Sequence, residues 1–323
     1  MLEQMGVSFR KSRIVQGIWR KKLARFALIS ILLFYLVGFV GFLDSLGVPI
    51  LPYDPTATNI SERYMPPSLV HPFGTDILGR DIMVRAIYAM TTSSLISLMA
   101  LLGGGIILNI TLSLVAGYYG GTRDSVIVKV GETLSGVPSL ILMIVITASI
   151  GPSYKEVVAK VSEFLHWEWL AKSGIAEIFL IFVALSLIGW AGSVFMLRSR
   201  ISVLREQGFV ESSRALGASD VRIMFWHILP NLMGLIVLSL SGLLIGAIGT
   251  EIGLSYLGLG VKAPNPSFGV MFFSNDISTL QNHAYIFIPP AVIVTWMLFV
   301  SWMAGDALVS IAESKEMPQG GAV

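Results

Sequence analysis

The stretch between the fourth and fifth long apolar runs carries the residues whose spacing best suits a contact with another protein. Val210 to Leu216 is compatible with an amphipathic helix, and Gly217 is placed to end it in the left-handed conformation that follows many helices. Ser219 or Asp220 can cap a second helix. A short helix with small side chains, held between two longer elements, can dock into a groove on a partner. An ordinary amphipathic surface helix is the alternative that this pattern leaves open.

Sequence motifs of the common catalytic and nucleotide-binding sites are absent. The chain has no Gly-x4-Gly-Lys-Ser/Thr phosphate loop, no His-Glu-x-x-His and no Gly-x-Ser-x-Gly. Residues 258–263 match the dinucleotide pattern, but they follow an apolar run and precede Pro264, whereas the pattern requires a helix there. Cysteine is absent and the four histidines are scattered. The sequence therefore predicts no enzyme activity, no catalytic residues, no metal site and no cofactor bound by this chain.

Glu251 is a charged residue near the end of the fifth long apolar run. An ionisable group inside a membrane span is costly to bury, and such groups often mark a transport pathway. We expect Glu251 to line a pathway or its gate. The alternative is an interfacial position that water reaches.

Long apolar runs separated by short charged stretches must position these residues. Of the 323 residues, 54% are hydrophobic and 13% are charged, and the mean hydropathy is +0.77. Soluble domains usually carry about 25% charged residues. A run of roughly 20 apolar residues crosses a bilayer as a helix that satisfies its own backbone hydrogen bonds. The sequence predicts an all-α polytopic membrane protein with six spans, at about 26–46, 91–117, 137–151, 176–196, 231–252 and 284–305.

The basic residues predict which segments are cytoplasmic, because cytoplasmic loops carry an excess of lysine and arginine. With both termini inside, 15 basic residues fall on the inner segments and 7 on the outer ones. The first apolar run is longer than a signal-peptide core and no small-residue cleavage pattern follows it, so we expect a retained span. The net charge of +2 is too small to indicate nucleic-acid binding.

Three outer segments connect the spans. Residues 47–90 are rich in proline and predict an extended, turn-rich stretch. Apolar residues within 152–175 are spaced as in an amphipathic helix, and 259–283 is polar and loop-like. None of these segments can hold a separate soluble domain, which needs roughly 50 residues or more.

The inner loop resembles the EAA loop of bacterial ABC importer permeases, which reads Glu-Ala-Ala, three residues, Gly, nine residues and Ile-x-Leu-Pro. Here Glu211-Ser212-Ser213, Gly217 and Leu229-Pro230 stand at those spacings. Two serines replace the alanines, a small-for-small change that should keep close packing. His227 stands where the general pattern has isoleucine, although a His-Ile-Leu-Pro ending resembles the peptide-uptake branch.

Further segments resemble the "C" permease of the dipeptide/oligopeptide/nickel family, over about residues 50–310. They are Tyr53-Asp54-Pro55, His71-Pro72-Phe73-Gly74-Thr75-Asp76, Leu78-Gly79-Arg80-Asp81, Ala116-Gly117-Tyr118-Tyr119-Gly120-Gly121, Pro138-Ser139-Leu140 and Glu251 with Leu254-Ser255-Tyr256-Leu257-Gly258-Leu259-Gly260. Two features depart from the family pattern. The C-terminus lacks the usual Arg-Asp-Ala-Leu-Asp-Pro, and the 152–175 segment is longer.

The resemblance implies a type I ABC importer permease fold with a five-helix core. The implied division is a cytoplasmic tail at 1–25, a first span at 26–46, an extracytoplasmic segment at 47–90, a core at 91–311 that includes the cytoplasmic coupling loop 197–230, and a cytoplasmic tail at 312–323. The residues implied to couple to an ATPase are Glu211, Ser212, Ser213, Arg214, Ala215, Leu216, Gly217 and Ala218.

The resemblance also implies partners and a location. A homologous second permease would complete the pore in a bacterial or archaeal cell membrane, and two cytoplasmic ATPases carrying ATP and magnesium would bind the coupling loop. An extracytoplasmic binding protein would deliver di- or oligopeptides.

A secondary transporter, an intramembrane enzyme and two other substrates are the alternatives to a peptide importer. A self-contained secondary transporter predicts inverted repeats and charges near the midplane of several spans, and the sequence shows neither. An intramembrane enzyme needs a catalytic set within the spans, where charges are few. Nickel or oligosaccharide uptake stays open, because related systems share this permease plan.

Overall fold

The computed structural model describes residues 21–166, 175–273 and 277–313. These residues form helices and no β-strand, apart from an isolated bridge between Thr75 and Asp81. Six helices are long and apolar enough to cross a membrane: Lys22–Ser45, Ile82–Tyr119, Ser139–Leu165, Ile178–Leu204, Asp220–Tyr256 and Ala284–Leu308. The prediction of an all-α protein with six membrane-crossing helices is confirmed.

We number the helices in chain order. They are α1 Lys22–Ser45, α2 Ile82–Tyr119, α3 Gly121–Ser135, α4 Ser139–Leu165, α5 Ile175–Gly189, α6 Ala191–Leu204, α7 Gly208–Ala215, α8 Asp220–Tyr256, α9 Phe268–Phe273, α10 Ile277–Asn282 and α11 Ile288–Glu313. Helices α5 and α6 share one span. The predicted N-terminal tail up to residue 20, the part of the outer segment at 167–174 and the C-terminal tail from residue 314 lie outside the described residues.

Helix α2 begins at Ile82, nine residues before the start predicted for the second span. The carboxylate of Asp81 caps its first turn by accepting a hydrogen bond from the backbone N–H of Val84 at 2.8 Å. Arg85 lowers the mean hydropathy of this stretch, which is why the sequence predicts a later start for the span. In the structure Arg85 is buried, with 1% of its surface exposed. Its guanidinium donates to the carbonyl of Pro55 at 2.8 Å, which offsets the cost of burying it.

Helix α4 runs through Pro152, so residues 152–165 continue the third span and are not a separate outer helix. Proline inside a helix removes one backbone hydrogen bond but need not end the helix. Val157, Val161 and Phe164 are all exposed on this extension. Its end comes at His166, whose φ of 56° is left-handed.

Helix α1 packs closely against α2 at two glycines. A Cβ on Gly38 would lie 2.7 Å from the hydroxyl of Ser94, so a larger residue would force the helices apart. The hydroxyl of Thr91 uses this proximity to donate to the carbonyl of Gly38 at 2.7 Å. Close approach at small residues, together with hydroxyl hydrogen bonds, is typical of helices that pack in membranes.

The loops gather at two ends of the helix bundle. The 46–81 end joins residues 46–81 to residues 257–283, for example through the stacked rings of Tyr64 and His283, whose centroids are 4.1 Å apart. Residues 259–283 include α9 and α10, so the prediction of a simple loop there was wrong. Phe268 of α9 is fully buried, which explains why this part of the segment folds onto the bundle. The 205–222 end carries α3, α7 and the start of α8.

Candidate functional site

Helix α7 carries the predicted coupling residues at the 205–222 end. It spans Gly208–Ala215, so it begins two residues before and ends one residue before the predicted Val210 to Leu216. Val210 is fully buried and fixes α7 to a core cluster. The other buried members of that cluster come from α2, α6 and α8: Leu114, Tyr118, Leu197, Ile201, Ile223, Met224, Ile228, Leu232 and Ile236. Because α7 is anchored in the core on one face, its remaining face is open.

The open face of α7 consists of the predicted residues themselves. Exposed side chains are Glu211, Ser212, Arg214 and Ala215, and Ser213 is half-buried. The Ser213 hydroxyl donates to the carbonyl of Phe209 at 2.7 Å, so its polar group is satisfied within the helix. This bond gives Ser213 an outer surface close to that of alanine, which accounts for the small-for-small replacement.

The turn after α7 presents a large apolar side chain at its tip. Leu216 is 89% exposed, and Gly217 follows it with a φ of +81°. Ala218 is half-buried, and the hydroxyl of Ser219 accepts a hydrogen bond from the backbone N–H of Arg222 at 3.4 Å. The predicted helix end and the predicted cap are therefore both present. An exposed leucine next to small polar residues is typical of a surface that a partner covers.

Tyr118 is a member of this site that the coupling pattern did not single out. It lies at the end of α2 and is 6% exposed. Its hydroxyl donates to a carboxylate oxygen of Asp220 at 2.6 Å and accepts from the guanidinium of Arg214 at 3.1 Å. The hydrogen bond to Tyr118 raises the pKa of the Arg214 guanidinium above its usual value, so this side chain is cationic at physiological pH. Only the Gly-Tyr-Tyr-Gly-Gly motif around Tyr118 could have pointed to it.

An ion pair fixes α3 to α6 at the same end. The Arg198 guanidinium holds the Asp124 carboxylate through two hydrogen bonds, one of them Nη2 to Oδ2 at 2.5 Å. These hydrogen bonds lower the pKa of the Asp124 carboxyl below its ordinary value. Asp124 is therefore ionised at neutral pH, and bidentate geometry makes such a pair stronger than a single contact.

Glu251 lies on α8 toward the 46–81 end and is fully buried within the subunit. Its carboxylate accepts hydrogen bonds from the hydroxyls of Ser93 at 3.1 Å and Ser255 at 3.0 Å, and Ser267 is a further hydroxyl partner. The Ser255 hydroxyl in turn accepts from the backbone N–H of Val261 at 3.1 Å. Glu251 thus ties α2 and the segment after α8 together.

A cavity of about 580 Å³ lies between α4, α5, α6 and α8. Its α8 side includes small residues that recur every three or four positions, Ser239, Gly242, Gly246 and Thr250, together with Leu243. Glu251 is not among the lining residues in the single subunit, and its predicted role at a pathway or gate stays a prediction. Within the described ranges, no group of three or more His, Asp and Glu side chains is placed to hold a metal ion.

Known proteins resemble this chain along most of its length. The dipeptide transport system permease protein DppC of Bacillus subtilis (strain 168) is 30% identical over 93% of this chain and 85% of its own. DppC of Alkalihalophilus pseudofirmus is 31% identical over 92% of this chain and 87% of its own. The oligopeptide transport system permease protein OppC of Bacillus subtilis is 29% identical, covering 93% and 90%.

A known family matches the last part of α2 and all of the later helices. The family described as the binding-protein-dependent transport system inner membrane component matches residues 109–315. This range includes α7, Gly217 and Glu251, and the six-span helical plan fits the membrane component of such a system. The chain belongs to the family of binding-protein-dependent transport system inner membrane components.

Proposed function

We propose that this chain is the permease subunit of an ABC importer that carries di- or oligopeptides across the membrane. The chain is a multi-pass membrane permease subunit of the ABC transporter type. Relatives named as dipeptide or oligopeptide permeases match it over 92–93% of its length, which supports a peptide as the substrate. The absence of a phosphate loop in the sequence supports an arrangement in which other subunits bind ATP and magnesium.

The exposed tip of α7 is the single observation that carries the coupling role. Leu216 is 89% exposed beside Gly217, on a helix that only Val210 anchors in the core. Exposed large apolar side chains favour burial against a partner, since each fully buried leucine contributes about 1.5–3 kcal/mol. We propose that one of two ATPase subunits binds here and that the 205–222 end faces the cytoplasm. The excess of basic residues, 15 against 7, supports this orientation with both termini inside.

The other partners follow from the same assignment. A homologous second permease would cover the open face of α8 around Gly242 and Gly246, where an added Cβ would meet no atom of this chain. An extracytoplasmic binding protein would dock on the 46–81 end. ATP can drive transport in this arrangement only by binding one conformation of the assembly more tightly than the other.

Uptake by the purified transporter tests the substrate. The chain, its second permease and both ATPases are reconstituted in liposomes, and the binding protein is supplied on the side of the 46–81 end. We expect saturable, ATP-dependent accumulation of labelled di- or oligopeptides, and no accumulation without the binding protein. Accumulation of nickel or an oligosaccharide in place of peptides would overturn the substrate and keep the importer class.

A further inference from the structure

The hydroxyl of Tyr118 joins α2 to two helices that follow about 100 positions later in the sequence. Tyr118 lies in the last turn of α2, Arg214 belongs to α7 and Asp220 begins α8. The hydroxyl donates to the Asp220 carboxylate at 2.6 Å and accepts from the Arg214 guanidinium at 3.1 Å. A phenol has one proton to donate, so this hydroxyl uses its donor for one charged group and its acceptor side for the other. Hydrogen bonds to charged groups are shorter and stronger than neutral ones.

The backbone of Tyr118 is bound to the same loop. The Arg205 guanidinium donates to the Tyr118 carbonyl at 3.3 Å. Gly120 makes this approach possible, because a Cβ at that position would lie 2.7 Å from Arg205 Nη1. The ring itself packs in the core cluster that also holds Val210. The end of α2 is therefore held by charged side chains from both sides of α7 and by the residue that anchors α7.

The Tyr118 hydroxyl also connects α7 to the start of α8 across the turn between them. Arg214 and Asp220 are separated by only five residues, among them Leu216 and Gly217, and both bond to one oxygen of Tyr118. A displacement of α7 must therefore either break these hydrogen bonds or carry the end of α2 with it. Tyr118 itself is buried, whereas Arg214 and Asp220 are exposed, so these hydrogen bonds lie at the edge of the core cluster.

We infer that Tyr118 is a positioning residue that transmits the movement of α7 to α2 through Arg214 and Asp220. This inference rests on the proposed docking of an ATPase at α7. The Tyr118 hydroxyl couples transport to ATP hydrolysis. Val210 anchors α7 in the core, and Leu216 contacts the ATPase. Loss of the hydroxyl should then lower peptide uptake relative to ATP hydrolysis without weakening the binding of the ATPase.

The matched pair Tyr118→Phe and Tyr119→Phe tests this role. Both changes remove one phenolic oxygen and keep the ring. Tyr119 is 40% exposed and lies under the Arg123 guanidinium at 4.3 Å, and its hydroxyl has no hydrogen bond among the described residues. The measurements are ATPase affinity, ATP hydrolysis and peptide uptake by the complete transporter in liposomes with its binding protein.

We expect Tyr118→Phe to lower the number of peptides moved per ATP by about tenfold, within the usual range of coupling between sites. ATPase affinity should stay within about twofold, since the docking surface is unchanged. Tyr119→Phe should match the unaltered chain in all three measurements. Unchanged uptake per ATP in Tyr118→Phe would overturn the inference, and so would a loss of ATPase affinity that accounts for the whole loss of uptake.

Asp220→Asn tests the coupling role of Tyr118 if Tyr118→Phe does not accumulate in the membrane. It keeps an acceptor for the hydroxyl but removes the charge, so uptake per ATP should fall by a smaller factor, about threefold, at unchanged ATPase affinity. An unchanged ratio would overturn the inference. If the unaltered chain fails to bind the ATPase through α7, the proposed function fails; normal coupling in these variants overturns only the role of Tyr118.

Discussion

Leu216→Asp should weaken the association of this chain with the proposed ATPase subunits by about 100-fold, and uptake should fall with it. Leu216 is 89% exposed in the single subunit, so the change leaves the fold of this chain intact. In the complex it removes the burial of a leucine, which contributes about 1.5–3 kcal/mol, and it also places a carboxylate in an apolar contact. A 100-fold loss corresponds to about 2.7 kcal/mol.

Two variants control for the chemistry of this change. Leu216→Met keeps the volume and the apolar surface, so affinity should change by less than about tenfold. Leu69→Asp makes the same replacement at a fully exposed leucine of the 46–81 end and should leave ATPase affinity unaltered. Affinity would be measured by titrating labelled ATPase onto the permease in detergent. Equal affinities for Leu216→Asp and the unaltered chain would contradict docking at this tip.

Gly217→Val should reduce uptake by about 30-fold. Gly217 has a φ of +81°, a conformation that glycine adopts freely and that costs other residues roughly 1–2 kcal/mol, with β-branched side chains the worst. To relieve that strain, the backbone after α7 would change its conformation, and Leu216 would move with it. A cost of about 2 kcal/mol corresponds to the expected 30-fold effect.

A graded series at Gly217 separates backbone strain from a clash with the partner. No atom of this chain lies within 4 Å of a Cβ added there, so space inside the subunit is not limiting. Asparagine tolerates the left-handed conformation, and Gly217→Asn should retain uptake within about threefold, with Gly217→Ala between Asn and Val. Uptake by each variant is compared at equal amounts in the membrane. Equal losses for Asn and Val would contradict the backbone explanation and indicate direct contact with the ATPase.

The parts of the structure that the sequence predicted depend on local signals. Span number follows from apolar runs, because each membrane helix satisfies its own backbone hydrogen bonds. Helix α7, the turn at Gly217 and the cap at Ser219 follow from neighbouring residues, and all three are present, although α7 begins two residues earlier than predicted.

The features that were missed depend on contacts between distant residues. Tyr118 and Asp220 are 102 positions apart, and nothing near either residue indicates that they meet. Arg85 interrupts an apolar run, and its guanidinium is hydrogen-bonded to the carbonyl of Pro55, 30 positions away. Pro152 marks a helix end by local rules, yet α4 continues past it. For Tyr118 and Arg85, contacts between distant residues override the local preference.

Residue-specific cross-linking to the ATPase tests the central claim, that the tip of α7 is the docking site for the subunit that powers transport. The chain contains no cysteine, so Leu216→Cys introduces a unique thiol. In the assembled transporter, a short bifunctional thiol reagent should join this position to an ATPase subunit that also carries a single cysteine in its permease-facing groove. Leu69→Cys, at the other end of the bundle, should give no such product. A cross-link from Leu69→Cys, or none from Leu216→Cys in a transporter that hydrolyses ATP and takes up substrate, would contradict it.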